Sequence, residues 1–282
     1  MIIIKDTGEK VFKVFINAIG LLSIVPVILI LFFITVKGVS AINFDFIFSM
    51  PTNGMREGGI FPAIVGTIYL TLGTIIFAVP FGIFTGIYLV EYARESLLKR
   101  FINLTIINLA GIPSIIYGLF GMALFVIFLN FGSSILSGSL TLGIMCLPVI
   151  ITAVREALLN VPNSLREASL ALGATKWETT MKVVLPAASP GILTGIILSI
   201  SRAAGETAPI MFTAVAFYFP FLPTGVLDKV MALPYHLFVI STQVPNMPLS
   251  NMYGTLFVLV FITVGFNLLG AFIRNIYKNK GE

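Results

Sequence analysis

The sequence predicts an all-α, polytopic membrane protein with six transmembrane helices. Of the 282 residues, 57% are hydrophobic and only 10% are charged, whereas a soluble domain carries about 25% charged residues. Uncharged stretches recur along the chain, and each is long enough to cross a hydrocarbon core of about 30 Å as a helix. The predicted spans are about 14–36, 61–90, 101–129, 139–156, 187–215 and 252–273.

The first span follows a short basic segment, residues 1–13. Val39-Ser40-Ala41 is similar to a signal-peptide cleavage site, but the uncharged run from Val14 to Val36 is longer than the h-region of a signal peptide, about 7–15 residues. The sequence therefore predicts an uncleaved first helix.

The second span contains a helix breaker and a small-residue motif. Pro80 is expected to kink the helix. The spacing Gly82-x3-Gly86 permits another helix to approach closely. This span is therefore predicted to be bent and tightly packed.

Residues 101–154 carry no charge, yet they are too long for one helix. Asn, Gly and Ser residues between 130 and 139 predict a turn that divides this stretch into the third and fourth spans. Gly111-Ile112-Pro113-Ser114 is expected to break or bend the third span.

The last third of the chain alternates between apolar and proline-rich sequence. The fifth span contains Gly191-x3-Gly195, a possible packing face. Residues 216–251 contain five prolines and cannot form one regular helix, so they are predicted to be a loop with one or two short helices, partly buried in protein. The sixth span precedes a basic tail.

The positive charges indicate the orientation. Thirteen of the 17 Lys and Arg residues lie in the terminal segments, in 91–100 and in 155–186, whereas three lie in 37–58 and 216–251. The positive-inside rule therefore predicts that both termini are cytoplasmic, in a plasma (inner) membrane.

The longest polar segment lies between the fourth and fifth spans, and we call residues 157–186 the hook. Ser164 with Glu167, and Thr175 with Glu178, match the capping-box pattern at the start of a helix. Gly173 lies between them, where a first short helix needs a residue that tolerates positive φ. The pattern predicts helix–Gly–helix in the cytoplasm. The alternative is a helix lying on lipid headgroups.

The hook resembles the cytoplasmic loop of ABC-importer permeases, which has the form EAA-x3-G-x9-I-x-LP. Glu167, Ala168, Gly173, Leu185 and Pro186 lie at that spacing, while a Ser and a Val replace the second Ala and the Ile. The resemblance implies a type I ABC importer permease fold and a loop that docks into a groove on a separate ATP-hydrolysing subunit. The ATPase-coupling residues implied are Ser164, Glu167, Ala168, Gly173, Ala174, Thr175, Trp177, Glu178, Leu185 and Pro186.

Arg202 lies inside the fifth span, and Glu206 follows it at i+4, on the same helix face. An isolated Arg at mid-bilayer costs about 3 kcal/mol on insertion scales, so it is expected to face a partner or a water-filled path. Gly205 and Pro209 predict a local break in the helix.

The chemistry of this pair suits an anion. The planar fork of Arg202 can donate two parallel hydrogen bonds to a tetrahedral oxyanion, with Glu206 holding the guanidinium and Thr207 adding a hydroxyl donor. These three are the predicted substrate-path residues. The alternative is an intrahelical ion pair that only tunes helix packing.

Residues 202–209, RAAGETAP, resemble the RAxGETAP segment of the A-type permease in phosphate-specific ABC importers. Segments 59–64, 111–118 and 172–177 resemble that family too. The resemblance implies a phosphate path shared with a second, related permease. It also implies two copies of an ATP-binding subunit and an extracytoplasmic phosphate-binding protein. Sulfate or molybdate would satisfy the same guanidinium argument.

Other function classes have little support. No Gly-Lys-Ser/Thr is present, so the chain has no P-loop, and ATP hydrolysis is expected on a partner chain. The sequence offers few catalytic groups for a membrane-embedded enzyme. His236 is expected to be a surface or packing residue, and Cys146 has no base nearby in sequence. Neither a metal, a cofactor nor a nucleic-acid partner is predicted. A self-contained channel or secondary transporter remains the other alternative.

Overall fold

The computed structural model describes residues 2–278; residue 1 and residues 279–282, the outermost parts of the two predicted cytoplasmic termini, lie outside the described residues. Apart from a hairpin of two short strands, β1 (Pro51–Thr52) and β2 (Glu57–Gly58), and an isolated β-bridge between Val215 and Val230, the regular secondary structure of the described chain is helical. The helices are α1 (Ile2–Val39), α2 (Phe44–Phe48), α3 (Phe61–Ile87), α4 (Leu97–Ala110), α5 (Ser114–Gly121), α6 (Ile135–Leu159), α7 (Asn163–Ala171), α8 (Lys176–Thr179), α9 (Leu185–Gly205), α10 (Ala208–Thr213), α11 (Leu233–Thr242) and α12 (Leu249–Lys278).

Shorter helical turns extend some of these elements. A 3-10 turn covers Asn53–Met55, and π-helical turns cover Tyr88–Tyr92, Met122–Phe128 and Thr180–Val184. The π-helical turns join α3 to the chain that follows it, lengthen α5, and connect α8 to α9.

Five helical stretches of the described chain are long and apolar enough to cross a membrane. Leu97–Ala110 and Ser114–Phe128 meet the same criteria only as a pair, bent by 108° at the break between them; counted as one span, this pair makes a sixth. The break predicted at residues 111–114 is therefore present, and it turns the chain far more sharply than a kink. Pro113 has no amide hydrogen with which to continue α4.

Three long helices, α3, α6 and α9, form the centre of the bundle, with α12 against α9 and α1 against α12. Small residues let them approach closely, as the glycine motifs predict. A Cβ atom at Gly82 would lie 2.5 Å from Cγ2 of Ile150, and one at Gly195 would overlap Cβ of Ala153. The other two glycines make the same kind of contact: Gly86 with Val154, and Gly191 with Ala157.

The fifth span ends earlier than predicted. The sequence predicted one span over about 187–215, but α9 stops at Gly205 and α10 begins at Ala208. The reason is the break expected from Gly205 and Pro209: Glu206 adopts φ −73° and ψ 134°, an extended conformation that cannot continue a helix.

The proline-rich segment (residues 216–248) folds back onto the bundle. It contains α11 and supplies backbone carbonyls to the start of α6, where the amides of Ile135 and Leu136 donate to Asp228 and Val226 at 3.0 and 2.9 Å. These bonds satisfy amides that have no partner within α6 itself. The predicted short helix and partial burial are therefore both present.

The connections fall at two opposite ends of the bundle. The proline-rich segment and the 40–60 connection pack into one apolar cluster that includes Phe46, Met55 and Leu233. The hook and the end of α3 meet at the other end, where Arg166 contacts Glu91. One end therefore belongs to the proline-rich segment and the opposite end to the hook.

Candidate coupling hook and anion path

The second helix of the hook begins with the predicted capping box. The amide of Glu178 donates to Oγ1 of Thr175 at 3.2 Å, and the amide of Thr175 donates to Oε2 of Glu178 at 3.0 Å. Gly173, before it, has φ +85°, the left-handed conformation that ends α7. Ser169 and Thr179 join α7 to α8 through their hydroxyls at 2.9 Å.

The capping box predicted at Ser164 and Glu167 is wrong. α7 starts at Asn163, and its N-cap is Pro162, two residues before Ser164, with no side-chain capping bond. Because the ring of Pro162 restricts φ and the residue has no amide hydrogen, the chain enters the helix directly after it. Ser164 therefore lies inside the first turn.

The hook exposes apolar side chains. Leu172 is 90% exposed and Trp177 is 59% exposed, and Leu165 and Leu170 are also exposed. Glu167 is exposed as well and forms no ion pair with any side chain that the structure describes. Such a surface is available to another chain, because large exposed apolar groups rimmed by polar ones are typical of interaction sites.

The remaining predicted coupling residues follow the path of the hook. Only some of them are exposed to solvent. Ser164, Ala168 and Pro186 are exposed, while Ala174 and Leu185 are half-buried. The predicted set therefore includes surface residues and residues that shape the turn between the two helices.

Two contacts of the hook are not visible in the sequence pattern. Arg166 donates from Nη2 and Nε to Oε1 of Glu91, at 2.9 and 3.2 Å, and only 17% and 9% of the two side chains are exposed. Nζ of Lys176 lies 5.1 Å from the centre of the Tyr92 ring. The charged run at 91–100 was the only signal for this site, since nothing in the sequence pairs residues 75 positions apart.

Arg202 and Glu206 form the predicted ion pair, with Nε of Arg202 3.1 Å from Oε1 of Glu206. The prediction that both share a helix face is wrong, because α9 ends at Gly205, at the predicted break, and Glu206 is the extended residue beyond it. About half of the Arg202 side chain (49%) is exposed, against 16% of Glu206. The exposed part of the Arg202 side chain is therefore accessible to solvent, to a ligand or to a neighbouring chain.

The break places further polar groups near the pair. Thr207 precedes α10 and is half-buried. Glu206 lines a small cavity together with Thr67 and Thr71 of α3. The other residues that line this cavity are apolar, among them Leu70, Leu142 and Ile210, so the two threonines are the polar side chains beside Glu206 there. The arrangement can hold Arg202 in place and leave part of its hydrogen-bonding capacity for an anion.

The two groups considered for enzyme chemistry are buried and separate. His236 lies in α11, where burial lowers the pKa of its imidazole to about 4. Cys146 lies inside α6, and its Sγ is 3.5 Å from the carbonyl oxygen of Ser199. No group of three or more His, Cys, Asp or Glu residues that could hold a metal ion occurs among the residues described.

Comparison with protein families gives one match that covers most of the chain. The model for the "Binding-protein-dependent transport system inner membrane component" family matches residues 78–280. Among solved structures, the permease of the MetNI methionine ABC transporter superposes with a TM-score of 0.62 at 20% identity, covering 76% of this chain and 94% of that one. At this sequence identity the structural similarity supports a shared fold and nothing more specific.

Several curated relatives are similar over nearly their whole length. The phosphate transport system permease protein PstA of Mycobacterium leprae is 34% identical over 90% of this chain and 84% of its own. The probable phosphate permease PstA of Methanocaldococcus jannaschii is 33% identical over 92% and 91%. The probable ABC transporter permease YqgI of Bacillus subtilis is 33% identical over 87% and 88%.

Proposed function

Because this chain belongs to the family of binding-protein-dependent transport system inner-membrane components, we propose that it forms, with a second permease, the path for inorganic phosphate in an ATP-driven importer. It is a multi-pass inner-membrane protein, and in this family the ATPase is a separate subunit. We propose two copies of that ATPase per complex and an extracytoplasmic phosphate-binding protein.

The observation that carries the transport proposal is the half-exposed Arg202 at the break in the fifth span. Its Nε donates to Glu206, while about half of the Arg202 side chain (49%) is exposed. A charge in that position needs a partner or water, which an anion path between two permeases supplies. The names of the curated relatives favour phosphate among the oxyanions that a guanidinium accommodates.

The hook supports the coupling part of the proposal. Its exposed Trp177, Leu172 and Glu167 offer an apolar and acidic surface to a groove on the ATPase, which is the helix-in-groove mode of recognition. ATP-driven movement of the ATPases displaces the hook, and the hook displaces the helices on either side of it.

The orientation follows from charge. The hook end of the bundle carries most of the Lys and Arg residues, so we propose that this end and both termini lie in the cytoplasm. The proline-rich segment and the 40–60 connection then face the extracytoplasmic binding protein.

The test is uptake of labelled phosphate and, separately, of sulfate and molybdate into vesicles that contain the complete complex. We expect ATP-dependent uptake of phosphate and its loss in Arg202→Gln. Uptake of another oxyanion instead of phosphate would change the assigned substrate. Normal phosphate uptake by Arg202→Gln would remove Arg202 from the path, and uptake without an ATPase subunit would favour a self-contained transporter.

A further inference from the structure

Glu91 and Tyr92 end the π-helical turn that continues α3, and both halves of the hook contact them. Arg166 of α7 binds Glu91, and Lys176 of α8 lies over the ring of Tyr92. We propose that these two contacts form a latch that transmits movement of the hook directly into α3, with Arg166 and Lys176 as positioning residues. The proposal rests on the proposed coupling role of the hook.

The ion pair joins three elements through one guanidinium. Besides Glu91, Arg166 donates to the carbonyl oxygens of Leu158, at 2.8 Å, and Val161, at 2.7 Å. Leu158 lies in the last turn of α6, and Val161 lies just beyond its C-cap, Asn160, so Arg166 also binds the end of α6. Both charges are mostly shielded from solvent, so neither can be moved away from the other without leaving a buried charge unpaired.

The second contact involves the other half of the hook. The Lys176 ammonium is 5.1 Å from the centre of the Tyr92 ring, within the range of a cation–π interaction. Since the hydroxyls of Ser169 and Thr179 also join α7 to α8, the two helices of the hook are held to each other as well as to α3. A displacement of either helix therefore acts on the same two consecutive residues.

Two π-helical turns lie at the latch. One contains Glu91 and Tyr92 and closes with a bond of 2.7 Å from the amide of Ala93 to the carbonyl oxygen of Tyr88. The other, Thr180–Val184, connects α8 to α9. π-Helical turns inside α-helices are frequent at functional sites. Here both occur where the hook joins a spanning helix.

The latch gives α3 a connection to the hook that the chain does not provide. The hook is covalently continuous with α6 and α9, whereas α3 lies earlier in the sequence. From Glu91, α3 extends back to Thr71, about 30 Å away at 1.5 Å per residue. Thr71 lines the cavity beside Glu206. Movement of the latch is thereby carried along α3 to the proposed anion path.

The experiment uses the complete complex in proteoliposomes with labelled phosphate outside and ATP inside. Three quantities are measured: ATPase subunit retained on the complex, the rate of ATP hydrolysis, and phosphate imported per ATP. The latch variants are Glu91→Gln, which removes the charge, and Tyr92→Leu, which removes the aromatic face. Their matched controls are Glu95→Gln, a neighbouring exposed carboxylate paired with Lys99, and Tyr92→Phe, which keeps the ring.

We expect both latch variants to retain the ATPase and hydrolyse ATP, while phosphate imported per ATP falls about fivefold or more, the lower range of coupling between sites. Both controls should match the unmodified protein. If Glu91→Gln does not assemble, Tyr92→Leu decides, because it leaves the ion pair intact. An unchanged ratio in Tyr92→Leu, or loss of ATPase binding at an unchanged ratio, overturns the latch.

A further variant separates this inference from the function it rests on. Glu167→Ala alters the exposed docking surface and leaves the latch residues in place. If Glu167→Ala uncouples hydrolysis from import and the latch variants do not, the latch is wrong and the coupling hook stands. If Glu167→Ala also keeps a normal ratio, the proposed coupling through the hook fails, and the latch fails with it.

Discussion

The hook and the proline-rich segment are both connections between long helices, yet one exposes its large apolar side chains and the other buries them. Met231, Leu233 and Ile240 of the proline-rich segment are almost completely buried within this chain. Leu172 and Trp177 of the hook are mostly exposed. The comparison shows that one connection completes the fold of this chain, whereas the other leaves its apolar surface exposed, as the proposed docking to an ATPase subunit requires.

Their hydrogen bonds differ in the same way. Apart from the contacts of Arg166 with Glu91 and of Lys176 with Tyr92, the hydrogen bonds described for the hook join residues close in sequence, such as Thr175 with Glu178 and Lys182 with Glu178. The proline-rich segment bonds to distant parts of the chain, for example through the amide of Leu233, which donates to Oγ1 of Thr67 at 2.8 Å. We therefore expect substitutions in the proline-rich segment to lower stability and substitutions in the hook to impair coupling.

The largest effect is expected for Leu233→Ala. Leu233 is fully buried in the apolar cluster of the proline-rich segment. Removing its side chain leaves a cavity and should lower the free energy of unfolding by about 2–5 kcal/mol. Thermal unfolding of the purified protein in detergent measures this, with the exposed Leu172→Ala as the control, expected within about 0.5 kcal/mol of the unmodified protein. Equal losses of stability in the two variants would contradict the proposed difference between the proline-rich segment and the hook.

Trp177→Ala should show the opposite profile. Its exposed indole is expected to be a main anchor for the ATPase, and truncation of such an anchor costs about 2 kcal/mol or more of binding free energy. Thermal unfolding of the isolated permease should be nearly unchanged. Affinity for the ATPase, measured by titration of the detergent-solubilised subunits, checks the first expectation. A destabilised permease with normal affinity would reverse the comparison.

A pH titration sharpens the comparison at His236. Burial lowers the pKa of His236 to about 4, from 6.5 for an exposed imidazole. Between these values the unfolded chain binds a proton that the folded chain does not, so stability falls as the pH falls. From pH 7 to pH 5 the loss should be about 2 kcal/mol.

Unfolding curves across that pH interval measure the effect, and His236→Leu should remove it. Asp228 of the same segment should not interfere, because hydrogen bonds from Thr224 and Gly225 lower the pKa of its carboxyl below the usual value, 3.8. A pH dependence that persists in His236→Leu would assign it to another group.

The smallest effect is expected for Thr175→Ala in the hook. This change removes the hydroxyl that caps α8, which is worth about 1 kcal/mol of helix stability. Because the loss is local, we expect faster hydrogen exchange of the α8 amides and little change in the unfolding temperature. Thr175→Ser retains the cap and is the control. A large drop in global stability would show that the hook supports the bundle.

Much of the architecture could be predicted because hydropathy, caps and breakers act locally. The break after Ala110, the positive φ of Gly173 and the cap at Thr175 all follow from residues within a few positions of each other. The capping box at Ser164 failed for the same local reason, since Pro162 starts the helix earlier. The roles of Arg202 and of the coupling residues stay predictions.

By itself the sequence determined the membrane class, the number of apolar stretches, the hook and the Arg202–Glu206 pairing, because each depends on composition or on spacing along the chain. Only the tertiary structure decided that Arg166 meets Glu91, that Lys176 lies over Tyr92, and that the proline-rich segment closes the start of α6. These contacts join residues far apart in sequence, and their energy depends on distance and burial in space, which no local pattern encodes.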